Sequence, residues 1–101
     1  MKKILIANRG EIAIRIARTC NDLGVKAIGI YSEDDFNSLH LSKMDDSFMI
    51  DEKGASAYLN IKKIIDIAKR EKVDGIHPGY GFLSENPDFA RAAKQAKIKF
   101  I

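Results

Sequence analysis

Short apolar runs alternate with amphipathic segments along the whole chain, and this alternation constrains the fold more than any other feature. The first run, KILIAN at residues 3–8, is continuous and rich in branched side chains, which is typical of a strand buried on both faces. Similar runs follow as KAIGIYS, SFMI, VDGIH and IKFI. Strands separated by helices pair in parallel through right-handed crossovers. The pattern predicts an open parallel α/β sheet of about five strands with helices on both faces.

Three segments carry apolar residues at helical spacing, at residues 10–23, 60–72 and 86–96. The first should end at Gly24, which is free to adopt positive φ. The third should begin with Asn86 as its N-cap and Pro87 in its first turn. Residues 33–46 are polar and irregular, with one helical turn expected near 39–44. The buried face expected for the first helix consists of Ile12, Ala13, Ile16, Ala17, Cys20 and Leu23.

Composition excludes several classes of protein. A chain of 101 residues forms one domain, and its 17 basic and 14 acidic residues are interspersed, so we expect no nucleic-acid partner. The apolar run of MKKILIA stops at Ala7, too soon for a signal peptide or a membrane span. Cys20 alone forms no internal disulfide, and a buried thiol fits a reducing compartment such as the cytoplasm. His40 and His77 are too isolated for a zinc site, so we expect no metal site.

Ligands of open α/β sheets bind beyond the carboxyl ends of the strands, where residues 8–10, 31–35 and 77–85 should lie. The last of these segments belongs to HPGYGFLSEN at residues 77–86. Its glycines permit backbone angles closed to other residues and close approach of a ligand. The residues alone support two interpretations equally, the lip of a binding site and a plain strand-to-helix connection.

Two alternatives start from the first helix. A dinucleotide site would need three glycines after the first strand, whereas this turn has only Gly10, and Glu11 beside it would repel phosphate.

Glu11 also shares a helix face with three charged residues, in two i,i+4 pairs, and Ile14 should project near the edge of that face. By periodicity this face is either solvated or an interaction surface. A noncatalytic α/β dimerisation module is therefore an alternative function. The three further charged residues are Arg15, Arg18 and Asp22.

Three stretches together resemble the N-terminal domain of biotin carboxylase. They are KILIANRGEIAIRIARTC at 3–20, YLNI at 58–61 and HPGYGFLSEN at 77–86. The resemblance covers nearly the whole chain, residues 3–101, and its first and last motifs are long and specific. Such domains open the biotin-dependent carboxylases of the acetyl-CoA, propionyl-CoA, pyruvate, methylcrotonyl-CoA and urea types. The resemblance implies a Rossmann-like domain that precedes an ATP-grasp domain.

The resemblance also implies an activity for the complete protein. Such a ligase uses Mg-ATP and bicarbonate to carboxylate biotin on a carrier protein, and a carboxyltransferase then uses the carboxybiotin. In the family the catalytic residues, the ATP-grasp domain and the C-terminal domain all follow this segment. We therefore expect residues 1–101 to be a fragment that is inactive alone, with no catalytic residue of its own.

Two sites carry over from the resemblance by position. The lip of the biotin site would comprise His77, Gly79, Tyr80, Gly81, Phe82 and Glu85. The homodimer interface of the complete enzyme would include Arg15, Arg18 and Asp22, where Asp22 replaces a more usual glutamate. The segment from His40 to Ser47 also departs from the family pattern, which leaves the subfamily open.

Overall fold

The computed structural model describes all residues, 1–101, and contains one five-stranded sheet. The strand order is β3-β2-β1-β4-β5, and every neighbouring pair is parallel. The predicted open parallel α/β fold is confirmed. The strands are β1 (Lys3–Ile6), β2 (Lys26–Ser32), β3 (Asp46–Ile50), β4 (Gly75–His77) and β5 (Lys99–Phe100), and the helices are α1 (Gly10–Asp22), α2 (Ile61–Arg70) and α3 (Pro87–Gln95).

The helices cover both faces of the sheet and create two separate cores. On one face, Ala13, Ala17 and Cys20 of α1 pack against Ile6 and Ala27 of the central strands. On the other face, α2 and α3 cover a larger core that includes Leu5, Ile30, Ile64, Ile76 and Phe89. Successive residues of a strand point to opposite faces, so Leu5 and Ile6 belong to different cores. This double burial explains why β1 is a continuous apolar run.

The strand order creates a switch point between β1 and β4. From β1 the chain crosses through α1 to β2 on one side, whereas from β4 it crosses through α3 to β5 on the other. The two loops that leave β1 and β4 therefore diverge to opposite faces and open a crevice between them. In sheets of this kind such a crevice is the usual ligand-binding position.

Helix ends follow the predicted chemistry in most places. The side chain of Asn86 accepts hydrogen bonds from the backbone N–H groups of Asp88 at 2.8 Å and Phe89 at 3.1 Å, so the predicted N-cap of α3 is confirmed. Asn60 caps α2 in the same way through Lys63 N–H at 3.0 Å. The expected turn within 39–44 forms as a short 3-10 helix at Leu39–Lys43.

The expected buried face of α1 is partly wrong. Ala13, Ala17 and Cys20 are buried, but Leu23, which follows the last helical residue, is 73% exposed. Gly24 then adopts a φ of +70°, as predicted for a helix end. None of the three helices is long and apolar enough to cross a membrane.

The difference between Leu23 and a true core residue gives a stability test. Replacing Ile64, which belongs to α2 and is fully buried, by alanine should lower the free energy of unfolding by about 2–5 kcal/mol because it leaves a cavity. The matched substitution Leu23→Ala should change it by less than about 0.5 kcal/mol. Urea unfolding of both variants measures this difference. Equal losses would show that Leu23 packs into the core after all.

Candidate functional site

The loop after β4, residues 77–82, lies at the switch point and has an unusual backbone. Gly79 and Gly81 have φ values of +67° and +70°, and Phe82 has a φ of +43°. Left-handed backbone is unfavourable for a residue with a side chain, by roughly 1–2 kcal/mol. Such strained residues persist only where surrounding contacts hold them, and they cluster at functional sites. The backbone of the 77–82 loop is therefore consistent with a site lip.

The side chain of Asn8, at the end of β1, provides the main contacts that hold this loop. Its Nδ2 donates to the carbonyl of Pro78 at 2.8 Å and to the carbonyl of Tyr80 at 2.7 Å. Its Oδ1 accepts the backbone N–H of Arg9 at 2.8 Å. Asn8 is only 1% exposed. Asn8 belongs to the segment 8–10 that was expected at the ligand edge, but its contact with the 77–82 loop was not predicted, although a polar side chain that ends a buried strand was the available signal.

Gly79 is required by packing against α1 and Asn8. A Cβ atom added there would lie 2.7 Å from Cγ2 of Ile12 and 2.8 Å from Nδ2 of Asn8. Close approach of a ligand was the reason expected for both Gly79 and Gly81. For Gly79 the structure shows a different reason, since the missing side chain makes room for protein atoms.

Gly81 and Tyr80 form the exposed part of the loop. A Cβ atom added to Gly81 would meet nothing within 4 Å, and the Tyr80 ring is 75% exposed. The N–H of Gly81 has no acceptor within the chain. Together with Phe82 and Glu85, these residues line an open depression of about 470 Å³. The structure thus brings four of the six residues expected at the lip to one surface.

The other two expected residues lie on the side of the loop that faces α1. His77 and Gly79, with Tyr80 again, line a groove of about 410 Å³ that continues along Ile12 and Ile16. Tyr80 therefore separates the two depressions.

Phe82 is connected to the ends of β1 and β2 through Tyr58. The rings of Phe82 and Tyr58 lie 5.3 Å apart between centroids, and Tyr58 is fully buried. The Tyr58 hydroxyl donates to Asp35 at 2.9 Å, and Arg9 pairs with the same carboxylate oxygen at 3.1 Å. Burial and the Asp35 bond raise the pKa of Tyr58 to about 12. Tyr58 belongs to the YLNI motif, but its role of joining three loops at this edge was not predicted.

The carboxylates after β2 already have partners. Burial would raise the pKa of Asp35, but bonds from Tyr58 and Ser32 and the charge of Arg9 outweigh it, so this pKa is lowered. Asp34 accepts from the Ser32 hydroxyl at 2.7 Å and from Gly54 N–H at 2.9 Å. In a dinucleotide site an acid in this region would bind the ribose. These contacts, with the single glycine after β1, disfavour that alternative.

The two histidines have different roles. His40 is buried, and its Nε2 lies 3.1 Å from the carbonyl of Ile30. The Nδ1 atom of His77 accepts the N–H of Gly79 at 3.1 Å, which requires a neutral ring with Nδ1 unprotonated. Burial lowers the pKa of His77.

The charged face of α1 is exposed but lacks the expected internal pairs. Arg15, Arg18 and Asp22 are exposed, and neither Glu11–Arg15 nor Arg18–Asp22 is among the ion pairs formed within the chain. Ile14, expected near the edge of this face, is only 6% exposed, and it lies beside Ser42 and Lys43 of the Leu39–Lys43 segment. The apolar component of the interface interpretation was therefore wrong. The charged side chains of Arg15, Arg18 and Asp22 still fit an interaction surface, since they form no ion pair within the chain.

Cys20 is buried in the α1 core, as expected. Burial, and to a smaller degree the negative charge of Asp45, raises the pKa of its thiol. A thiol that is buried and protonated at neutral pH is a packing residue and a weak nucleophile.

The state of His77 gives a pH test. We expect an NMR titration of His77 to give a pKa below the ordinary value of 6.5. Because folding lowers the pKa of His77, its neutral ring contributes to the free energy of unfolding above about pH 6.5. That contribution is lost as the pH falls through the folded-state pKa. Unfolding of a His77→Gln variant should lack this component between pH 7.5 and 5.5. A His77 pKa at or above 6.5 would contradict a half-buried ring that is held neutral.

Comparison with known proteins identifies the family. Residues 1–101 match the family described as biotin carboxylase, N-terminal domain. The chain is 53% identical over 103 residues to pyruvate carboxylase of Bacillus subtilis (strain 168), covering 100% of this chain and 9% of that protein. It is 54% identical over 101 residues to biotin carboxylase of Halalkalibacterium halodurans, covering 99% of this chain and 22% of that protein.

Solved structures agree with this result. The biotin carboxylase domain dimer of Hydrogenobacter thermophilus 2-oxoglutarate carboxylase, in complex with MgADP, ADP and bicarbonate, matches with a TM-score of 0.95 and 43% identity. The match covers 98% of this chain and 22% of that one. The chain thus spans about a quarter or less of the relatives that it matches. On the family match and on these identities, the chain belongs to the biotin carboxylase N-terminal domain family.

Proposed function

We propose that this chain is the N-terminal part of an ATP-dependent ligase that carboxylates biotin on a carrier protein, using Mg-ATP and bicarbonate. Within that enzyme the 77–82 loop and Glu85 form one wall of the biotin site. The observation that carries the proposal is the position of Tyr80 and Gly81. Both are exposed, and both lie on a strained loop held at the switch point of a fold that belongs to this family.

The chemistry of the loop suits the bicyclic head of biotin. That ligand combines an apolar ring surface with a ureido group that accepts hydrogen bonds at its oxygen. The Tyr80 ring offers an exposed apolar face, and Gly81 offers an N–H without an acceptor, next to open space. Binding sites of small molecules commonly combine apolar walls with a few directed polar groups.

The residues of this chain do not fit Mg-ATP. No group of three or more His, Cys, Asp or Glu side chains lies close enough together to hold a metal ion. No glycine-rich loop with a lysine follows a strand, as a phosphate-cradling loop would require. We therefore assign the binding of ATP and Mg²⁺, and the catalytic residues, to other parts of the complete protein. Residues 1–101 alone should then be inactive.

The same proposal includes the remaining partners. The biotin carrier presents the substrate, a carboxyltransferase receives the carboxyl group, and the complete enzyme forms a homodimer in the cytoplasm. The dimer part is supported by the exposed charges of Arg15, Arg18 and Asp22, which have no partner within the chain. It is also supported by the dimer described for the biotin carboxylase domain of the Hydrogenobacter thermophilus relative.

The biotin wall can be tested in the full-length protein that carries this domain. Tyr80→Ala removes the exposed ring and should raise the KM for free biotin about 10-fold, equivalent to about 1.4 kcal/mol. The KM for ATP should not change. Phe36→Ala removes another exposed aromatic ring, which makes no ring contact, and is the matched control. An unchanged KM for biotin in Tyr80→Ala would contradict the wall.

The dimer surface has a separate test by charge reversal. Arg15→Glu in the full-length protein should shift the sedimentation equilibrium from dimer toward monomer, because it replaces an interface cation by an anion. Arg91→Glu, the same change on α3 at the opposite face of the sheet, should leave the dimer intact. A dimer of unchanged affinity in Arg15→Glu would remove Arg15 from the interface.

A further inference from the structure

We propose that Asn8 is a positioning residue for biotin carboxylation, because its carboxamide fixes the direction in which the Gly81 N–H points. This inference rests on the proposed biotin site. Asn8 itself does not face that site, since it is 1% exposed and lies behind the loop.

The side chain of Asn8 extends the pairing of β1 and β4 past the last backbone bond. That last bond joins Ala7 N–H to the carbonyl of His77 at 2.9 Å. Beyond it the chains diverge at the switch point, and backbone pairing ends. The Nδ2 atom of Asn8 then donates to the next carbonyls of the neighbouring loop, those of Pro78 and Tyr80.

These two bonds orient two peptide planes. A trans peptide is planar, so its C=O and N–H groups point in opposite directions, and the chain contains no cis peptide. Because the carbonyl of Pro78 points toward Asn8, the N–H of Gly79 points away and meets Nδ1 of His77 at 3.1 Å. Because the carbonyl of Tyr80 also points toward Asn8, the N–H of Gly81 points away from the protein interior.

Only an asparagine side chain fits all three bonds at this position. Two donors on one nitrogen face two carbonyls, and one acceptor faces the N–H of Arg9. An aspartate of the same shape would keep the Arg9 bond but place an acceptor against both carbonyls. Gly79 and Gly81 can adopt many backbone angles, and Phe82 is held at an unfavourable positive φ, so the loop can change conformation once these bonds are lost.

The experiment uses the full-length protein with free biotin, and compares Asn8→Asp with Asn37→Asp. Asn37 is exposed, and its side chain makes no hydrogen bond within the chain, so aspartate adds the same charge there without losing a bond. We expect Asn8→Asp to lower kcat/KM for biotin by about 10- to 100-fold, since small displacements of binding groups have such effects. Bicarbonate-dependent ATP hydrolysis measured without biotin should stay within about two-fold of wild type. General destabilisation would lower both activities together, so a loss confined to the biotin reaction would distinguish positioning from destabilisation.

Asn8→Ala provides a second variant, because it removes both donors without introducing a charge. A loss specific to biotin in either folded variant supports the positioning role. Equal losses with and without biotin, no loss in either, or failure of both variants to fold would overturn it and leave Asn8 a structural residue. If Tyr80→Ala weakens biotin use while the Asn8 variants do not, only this inference fails. If Tyr80→Ala has no effect either, the proposed biotin wall itself fails.

Discussion

The structure depends on the parallel pairing of β1 with β4 at the centre of the sheet. This pairing places two strands that are distant in sequence side by side, with Ile4, Leu5 and Ile6 opposite Gly75, Ile76 and His77. It brings their two following loops to one edge, and the crossovers then carry those loops to opposite faces. The start of the proposed biotin wall, from His77 to Tyr80, is positioned by this pairing and by the Asn8 side chain.

The ends of three strands are joined there by contacts that differ in kind. Hydrogen bonds from Asn8 hold the 77–82 loop against β1, and the contact between the tilted rings of Tyr58 and Phe82 holds its far end. The ion pair of Arg9 with Asp35 connects the loops after β1 and β2. The charges of Arg9 and Asp35 therefore neutralise each other within the domain. Tyr80 and Gly81 remain exposed at this edge.

Much of the fold could be predicted from the sequence because its signals are local. Apolar runs mark strands, helical spacing marks α1, α2 and α3, and Asn86 with Pro87 marks a helix start. Leu23 was wrongly placed in the core. It continues the helical spacing of apolar residues, but it is the C-cap of α1, where helical periodicity no longer predicts the direction of a side chain. Ile14 was misplaced for a related reason. Its burial depends on the Leu39–Lys43 segment that packs on α1, and no helical period contains that information.

The site was less predictable than the fold. The HPGYGF motif indicated where a ligand would bind, but the residues that shape the loop lie about 20 to 70 positions earlier in the chain. Asn8 and Tyr58 lie within the KILIANRGEIAIRIARTC and YLNI motifs, but neither motif indicates contact with this loop, and only tertiary structure brings the two residues to it. Gly79 illustrates the limit well. Its positive φ was foreseeable from the loop composition, whereas its contact with Ile12 and Asn8 was not.

A crystal structure of the full-length protein with biotin and bicarbonate tests the proposed site most directly. We expect the biotin ring to contact Tyr80 and its ureido group to lie within hydrogen-bond distance, about 3 Å, of the Gly81 N–H. The two bonds from Asn8 to the carbonyls of Pro78 and Tyr80 should be retained in that complex. Biotin bound at a site that the 77–82 loop does not touch would contradict the proposal.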